Sequence, residues 1–262
     1  MRRIAFPAMA AAVFMILAFC IGNSYSEEFP QGTIALYGQS NINGGDTLEA
    51  SRMMGAQVTD STGNPLGQIS DLVIDSGSGH ISEVILTDVP GEGGKQIAVP
   101  IAALSHTDWN SYVFNKPEEY PSQFSSVGGP YFTQPFTQWA QIRFLYSVLP
   151  LPMGAYRFSN TWGTTVRTPN GEVVGRVNDL VIDFTNDHVV YSVLSDVEGR
   201  GGDMVAVPYG EFSKGEGATF TLRAPKEKLM DSPAFTWNDV GNLKYAENIY
   251  KYYGVQPYWE EK

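Results

Sequence analysis

The feature that most constrains this chain is an internal repeat. Residues 51–105 align with residues 159–213 at a constant offset of 108 without a gap, and 21 of the 55 aligned pairs are identical. Self-similarity at a fixed offset is the signature of a duplicated structural unit. We therefore expect the chain to fold as two copies of one small module.

The identical positions fall in short apolar runs. The sequence Asp-Leu-Val-Ile-Asp occurs at residues 71–75 and again at 179–183, and Ala-Val-Pro occurs at 98–100 and 206–208. Apolar and polar residues alternate within runs such as 81–86, which indicates short strands. A proline cannot donate to a sheet ladder, so each Ala-Val-Pro predicts the end of a strand or an edge position.

One turn differs between the copies in an informative way. Ser78-Gly79 of the first copy is replaced by Asn186-Asp187 in the second. Glycine, asparagine and aspartate are the residues that best tolerate a positive φ. The same tight turn is therefore predicted in both copies.

The pattern of these positions resembles the PRC-barrel family, which is named from the H subunit of photosynthetic reaction centres. The resemblance covers residues 51–117 and 159–225. It implies a compact, mostly antiparallel barrel of about six strands in each copy, serving as an interaction or packing module rather than an enzyme. In the first copy it depends on these positions in chain order: Gly63, Gly67, residues 71–75, Asp88, a glycine-rich turn and Val99-Pro100.

The expected fold class is all-β with short helices: two tandem small antiparallel β-barrels of the PRC type, each followed by an aromatic-rich segment with a short helix. The first of these helices is expected within Thr137–Leu149, and the second from Asn238-Asp239 to about Tyr253. The expected segments are a signal peptide (1–26), an N-terminal extension (27–48), barrel 1 (49–119), an aromatic linker (120–156), barrel 2 (157–227) and a C-terminal helix with an aromatic tail (228–262).

The N-terminus has the pattern of a secretory signal. Arg2 and Arg3 precede an apolar stretch at residues 4–22, and Ser24-Tyr25-Ser26 supplies the small residues of a cleavage site. The expected location is the periplasm or the exterior, with no membrane span in the mature chain. Two alternatives are an uncleaved inner-membrane anchor at 4–22 and a lipoprotein attached at Cys20.

Composition excludes several functions. The formal net charge is −11 and no cluster of Lys or Arg follows the leader, so nucleic acid is not an expected partner. The single cysteine, Cys20, lies in the leader, which leaves the folded part without a disulfide or a thiolate. No catalytic sequence motif is present, and we expect a non-enzymatic protein without cofactor or metal.

The repeated acids and histidines each allow two interpretations. Asp71 and Asp75, like their counterparts, could be paired carboxylates for a cation, but four strand residues separate them by about 13 Å. We favour caps that accept backbone amides. His80 and His188 occupy one position of the two copies and could bind metal or sense pH. We favour polar residues that open a strand.

Aromatic residues form the candidate interaction surface. We favour instead the interpretation in which the aromatic segments enlarge the core of a small barrel, and we expect Trp139 and Trp237 to be largely buried. The candidate surface residues are Tyr131, Phe132, Phe136, Trp139, Phe144, Tyr146, Tyr258 and Trp259.

Three functions are compatible with these features. The leading hypothesis is an exported adaptor or structural module of the cell envelope, whose partner is an unknown protein or a second copy of the chain. The alternative is a periplasmic protein that binds a small ligand or cation in the cleft between the barrels. The third is a hydrolase that uses carboxylate chemistry.

Export has a direct test. We expect the protein isolated from cells to begin at or near Glu27, because cleavage after Ser26 follows the small-residue pattern. N-terminal sequencing of the native protein measures this. An intact Met1 in a membrane fraction would instead identify residues 4–22 as an anchor.

Overall fold

A computed structural model describes residues 41–42, 45–91, 96–108, 110–115, 151, 154–214 and 219–260. These residues belong to one compact unit, Gln39–Lys262. The predicted signal peptide and the helix predicted within 137–149 lie outside the described residues. Within the described part, no helix is both long enough and apolar enough to span a membrane.

The first copy is a sheet of short strands that follows two N-terminal strands and a short helix. Its elements are β1 (Asn41–Ile42), β2 (Gly45–Glu49), α1 (Ala50–Met53), β3 (Gln57–Asp60), β4 (Pro65–Asp75), β5 (Ile81–Thr87), β6 (Ile97–Pro100), a 3-10 turn (Ile101–Ala103), β7 (Leu104–Asp108) and β8 (Ser111–Phe114).

The second copy repeats this order and adds a helical C-terminal segment. Its elements are β9 (Ala155–Arg157), a 3-10 turn (Phe158–Asn160), β10 (Thr165–Arg167), β11 (Val173–Asp183), β12 (His188–Ser195), β13 (Met204–Pro208), a 3-10 turn (Tyr209–Glu211), β14 (Phe212–Lys214), β15 (Thr219–Leu222), α2 (Lys226–Met230), β16 (Ala234–Phe235), a 3-10 turn (Trp237–Asp239), α3 (Leu243–Tyr253) and a 3-10 turn (Tyr258–Glu260).

The two sheets have the same topology, as the repeat predicts. The strand order is β6-β5-β4-β3-β8-β7 in the first copy and β13-β12-β11-β10-β15-β14 in the second. The long strands β4 and β11 begin and end at positions 108 residues apart. β6 ends at Pro100 and β13 at Pro208, in agreement with the strand ends predicted there.

The sheets are mostly antiparallel, as expected, but each contains one parallel pairing. β3 pairs with β8 in parallel, and β10 pairs with β15 in parallel, because these strands meet only after the chain has passed through the rest of the sheet. Among the described residues, each copy's own strands form an open path of pairings. The fold shown is therefore mostly β with three short helices, and closure into barrels stays a prediction.

The two copies exchange their leading strands. β2, which precedes the first sheet, pairs antiparallel with the end of β11 through Glu49 opposite Val181. β9, which precedes the second sheet, pairs with the end of β4 through Arg157 opposite Val73. The two pairings are equivalent in the repeat, because Glu49 corresponds to Arg157 and Val181 corresponds to Val73 at the offset of 108. The copies are thus related by an approximate two-fold operation.

This exchange explains why the repeated Asp-Leu-Val-Ile-Asp segment is apolar without alternation. Leu72, Val73 and Ile74 are all fully buried, as are their counterparts in the second copy to within 2%. Successive side chains of a strand point to opposite faces. Both faces of the segment are therefore covered, which requires a continuous apolar run.

The C-terminal helix begins later than predicted. Asn242 caps it by accepting the Tyr245 amide, and it ends at Gly254 with φ +75°. Asn238 and Asp239 lie instead in the preceding 3-10 turn, where the Asp239 side chain closes a capping box. This box fixes a separate turn ahead of the helix.

The predicted burial of Trp237 is only partly correct. The side chain is partly buried against the core and lies edge-on to Phe235 at 5.1 Å between ring centroids. It occupies the short turn before α3 rather than the apolar face of the helix, so part of the indole stays exposed. Trp139 lies outside the described residues.

A comparison of two turn glycines distinguishes the cost of backbone strain from the cost of a steric clash with the other copy. Gly63 and Gly79 have nearly the same φ, +87° and +83°, but a Cβ on Gly63 meets nothing, whereas on Gly79 it would lie 2.6 Å from the Tyr209 ring. We expect Gly63→Ala to lower the free energy of unfolding by about 1 kcal/mol. Gly79→Ala should cost about 1–3 kcal/mol more because the ring must move. Chemical denaturation measures both, and equal losses would show that Tyr209 does not press on this turn.

Candidate functional site at the junction of the two copies

The buried acids that recur in both copies bind the opposite copy. Asp71 accepts the Ser159 amide at 3.0 Å and the Ser159 hydroxyl at 2.5 Å. Reciprocally, Asp179 accepts the Ser51 amide at 3.2 Å. Each carboxylate thus holds the short helical turn that follows the exchanged strand. The sequence favoured amide-accepting caps for these acids, but it did not indicate that the amides belong to the other copy.

The charges around these two acids differ between the halves of the junction. Arg157 lies 4.0 Å from Asp71, whereas the equivalent residue beside Asp179 is Glu49, which is ion-paired with Arg52. Burial raises the pKa of Asp179 to about 7, and Glu49 adds to the rise while hydrogen bonds oppose it. Burial also raises the pKa of Glu49. This half of the junction therefore gains a proton near neutral pH.

The second acid of each segment caps the turn that follows. Asp75 accepts the amides of Gly77 at 3.1 Å and Ser78 at 2.7 Å. Hydrogen bonds from the Ser78 hydroxyl and amide lower the pKa of Asp75. Asp183 likewise accepts the Asn186 amide at 3.1 Å. These contacts agree with the turn-cap interpretation.

The two histidines meet at the centre of the junction. His80 and His188 form an isolated antiparallel bridge with their ring centroids 6.4 Å apart. Beside this bridge the Ile81 amide donates to the Asp187 carbonyl at 2.7 Å. The Val189 amide donates to the Gly79 carbonyl of the first copy at 2.9 Å. In the described part of the chain, no group of three or more His, Cys, Asp or Glu residues is placed to hold a metal ion.

A cavity of about 330 Å³ lies where both copies and the C-terminal segment meet. Its volume is in the range of small-molecule sites. The first copy contributes its β4–β5 turn, the second copy contributes the start of β12 and the turn after β13, and the third wall comes from α3 and the tail. The side chains used in the argument below are Ser78, His188, Tyr209, Tyr250 and Tyr258.

The three tyrosines of the cavity wall use their hydroxyls for bonds within the protein. Burial and the neighbouring Asp183 raise the pKa of Tyr258, so its hydroxyl stays protonated and donates. The His188 ring stacks on the Tyr258 ring with 4.3 Å between centroids and 17° between planes. The acceptors are the Asp183 carboxylate for Tyr258 (2.7 Å), the Val190 carbonyl for Tyr250 and the Asp75 carbonyl for Tyr209 (3.1 Å).

Only two residues of the predicted aromatic interaction surface are described. Tyr258 and Trp259 are half-buried against their own chain, and the Trp259 ring lies 4.8 Å from Tyr250 and 5.0 Å from Tyr258. The six aromatic residues predicted between 131 and 146 lie outside the described residues. The structure therefore places the tail aromatics beside the cavity.

Sequence reasoning missed two tyrosines of the junction. The Tyr156 hydroxyl lies 2.8 Å from that of Tyr209, which in turn donates to the first copy. The alignment at the offset of 108 contained a signal for these two tyrosines. Tyr156 corresponds to Leu48 of the first copy, and Tyr209 corresponds to Ile101. An aromatic residue that replaces an aliphatic one in a duplicated core marks a place where the copies have different neighbours.

The family comparison agrees with this duplicated architecture. A model of the PRC-barrel domain matches residues 45–119 and again residues 153–229, which together make up more than half of the chain. The chain belongs to the PRC-barrel domain family. Both matched regions include the exchanged leading strands, β2 and β9, of this PRC-barrel protein. No curated protein matches the chain.

The buried acids give the junction a pH dependence of defined sign. The folded pKa of Asp179 is about 7 and that of Asp187 about 6, both above the ordinary value of 3.8. An acid whose pKa is raised by folding stabilises the protein below the unfolded pKa and loses this contribution as pH rises through the folded pKa. We expect the free energy of unfolding to fall between pH 4 and 8 by on the order of 2–4 kcal/mol for Asp179. Denaturation at several pH values measures the slope.

Two variants test whether Asp179 causes this pH dependence of the free energy of unfolding. Asp179→Asn should flatten it, because the amide has no proton to lose. Asp60→Asn is the matched control, since hydrogen bonds from Asn64 and Thr62 lower the pKa of Asp60 and its contribution changes only in stronger acid. A slope that survives Asp179→Asn unchanged would refute the assignment.

Proposed function

We propose that this chain is a non-catalytic, exported PRC-barrel protein that acts as an interaction or structural module of the cell envelope. The observation that supports this is the use made of the repeated acids and histidines. Asp71 and Asp179 bind the opposite copy, and His80 bridges His188. The residues most suited to chemistry are therefore engaged in joining two sheets into one unit.

The predicted leader supports the envelope location. Arg2-Arg3, the apolar stretch at 4–22 and the cleavage pattern at 24–26 form a secretory signal. The formal net charge of −11 favours a protein partner over nucleic acid or an anionic membrane surface.

Capture of the partner from the native envelope tests the adaptor role. We expect the full chain, cross-linked in cells and purified, to carry a partner protein or a second copy in a fixed ratio, measured by quantitative mass spectrometry. Phe136→Ala combined with Trp139→Ala should remove it, because aromatic anchors supply much of the binding energy of interfaces.

A matched control uses an apolar side chain elsewhere on the surface. Val173 is 45% exposed, and Val173→Ala should leave the captured ratio unchanged. Recovery of the chain alone, without a partner or a second copy, would refute the adaptor role. Capture that is insensitive to Phe136→Ala and Trp139→Ala would place the interaction surface elsewhere.

The cavity favours a second candidate function, which is binding of a small ligand between the copies. Neither copy forms it alone, since its walls include Ser78 of the first copy, Tyr209 of the second and Tyr258 of the tail. Sites at the junction of structural units are a common location for ligands.

A further inference from the structure

We propose that the outer edge of β6 in the first copy is a docking site for an extended segment, and that its occupant is residues 130–133 of the same chain. The equivalent edge of the second copy is covered by a segment of nearly the same sequence. That segment also follows its sheet in the same order along the chain.

The second copy shows how this edge is covered. β16 pairs antiparallel with β13, so that Phe235 lies opposite Met204 and Ala234 lies opposite Val205. The Phe235 side chain is only 3% exposed, and its ring centroid lies 5.9 Å from that of Tyr191. Backbone pairing over two residues and one buried ring thus hold the segment on the sheet.

The first copy has the same edge without a described partner. β6 is the equivalent of β13, and Ile97 corresponds to Val205 at the offset of 108. One side of β6 pairs with β5, and no strand among the described residues pairs with its other side. An open sheet edge presents unpaired amide and carbonyl groups and favours pairing with another extended segment.

The aromatic linker contains a close match to the segment that covers β13. Residues 130–133 (Pro-Tyr-Phe-Thr) share three of their four residue types with residues 233–236 (Pro-Ala-Phe-Thr). The one difference replaces Ala234, whose side chain is exposed, with a tyrosine. The exposed position has room for the larger side chain, and Phe132 takes the place of the buried Phe235.

The position of this match along the chain permits the same docking. In the second copy, residues 223–233 connect β15 to β16. In the first copy, the longer stretch 115–130 leads from β8 to the match. Because β8 and β15 are equivalent strands, the longer connection can span the same distance. It also keeps the segment at a high effective concentration, which favours docking within one chain over docking from a second copy.

One contact of the buried ring differs in the first copy. Tyr191, which lies beside Phe235, is replaced there by the partly buried Glu83. Backbone pairing does not depend on this side chain, because sheet hydrogen bonds join amide and carbonyl groups. A test of the docking should therefore report on the strand register.

Paired cysteines test this register in the full chain, with Cys20→Ser to remove the native thiol. The variant combines Gln96→Cys with Phe132→Cys. These positions correspond to Met204 and Phe235, which face each other in the second copy. Residues opposite each other in a sheet have Cα atoms within the range that a disulfide bridges. We expect mild oxidation to form an intrachain disulfide, detected by mass spectrometry of peptides from the unreduced protein.

The second copy provides the matched positive control. Met204→Cys with Phe235→Cys links a pair that faces across β13 and β16, and the first-copy pair should oxidise at a rate within about tenfold of this control. Gln96→Cys with Val127→Cys is the negative control and should oxidise roughly tenfold more slowly than the Phe132 pair. Val127 lies at the strict offset of 108 from Phe235 but outside the matched segment. Melting temperatures verify that the variants are folded.

A second measurement uses no cysteines. Phe132→Ala should lower the melting temperature by roughly 5–10 °C, because it removes a buried ring, and Phe235→Ala should act in the same way. Val173 is 45% exposed, and Val173→Ala should leave the melting temperature nearly unchanged. A parent-like melting temperature for Phe132→Ala would show that the ring is not buried, which contradicts the docking.

Three outcomes of the oxidation would overturn the proposal. Oxidation of the second-copy pair alone would show that residues 130–133 do not occupy the β6 edge. A disulfide that links two chains, seen as a dimer on a non-reducing gel, would show that the segment of a second copy takes this place. Faster oxidation of the Val127 pair than of the Phe132 pair would assign the edge to an earlier part of the linker. The first and third outcomes leave the adaptor role untouched, because capture of a partner tests that role separately.

Discussion

Unsatisfied backbone groups at the end of each long strand are the constraint on which the architecture depends. β3 pairs with β4 only between residues 65 and 68, and the last three residues of β4 pair with β9 of the other copy. β11 is completed by β2 in the same way. Because buried amide and carbonyl groups must find hydrogen-bonding partners, neither copy is complete alone. The exchange places the copies in a fixed register, from which the positions of the buried acids and of both histidines follow.

Duplication produced a junction with reciprocal geometry, and divergence made its two halves chemically different. Arg157 lies beside Asp71, whereas Glu49 lies beside Asp179. Only the second copy carries Tyr209, which donates to the backbone of the first. Both copies need the same exchanged strand pairing. The two-fold relation therefore fixes where each long strand meets the leading strand and the short helical turn of the opposite copy. Side chains that do not take part in this pairing were free to differ, and one of them, Tyr209, lines the cavity beside the paired His188.

The residues that the two copies share and those that differ also make different kinds of contact. Residues identical in both copies close turns, fill the interior of the sheets or bind the opposite copy. The wall of the cavity contains Tyr209, where the first copy has isoleucine, and Tyr250 and Tyr258 from the C-terminal segment. Asp183 connects the two groups, because it caps its own turn and accepts the hydroxyl of Tyr258. A ligand in the cavity would therefore act on the contact between the tail and the junction.

The sequence by itself determined the duplication, the strand ends at Pro100 and Pro208, the turn at Gly79 and Asp187, and the amide-accepting roles of the repeated aspartates. These depend on local chemistry: proline lacks an amide proton, glycine and aspartate tolerate positive φ, and carboxylates accept from nearby amides. Only the tertiary structure decided that Asp71 binds Ser159 across 88 residues, that His80 meets His188, and that Tyr209 joins the tail at one cavity. An alignment of two copies records what each position shares, but it does not record which copy supplies the partner. That choice depends on long-range strand pairing, which no local pattern encodes.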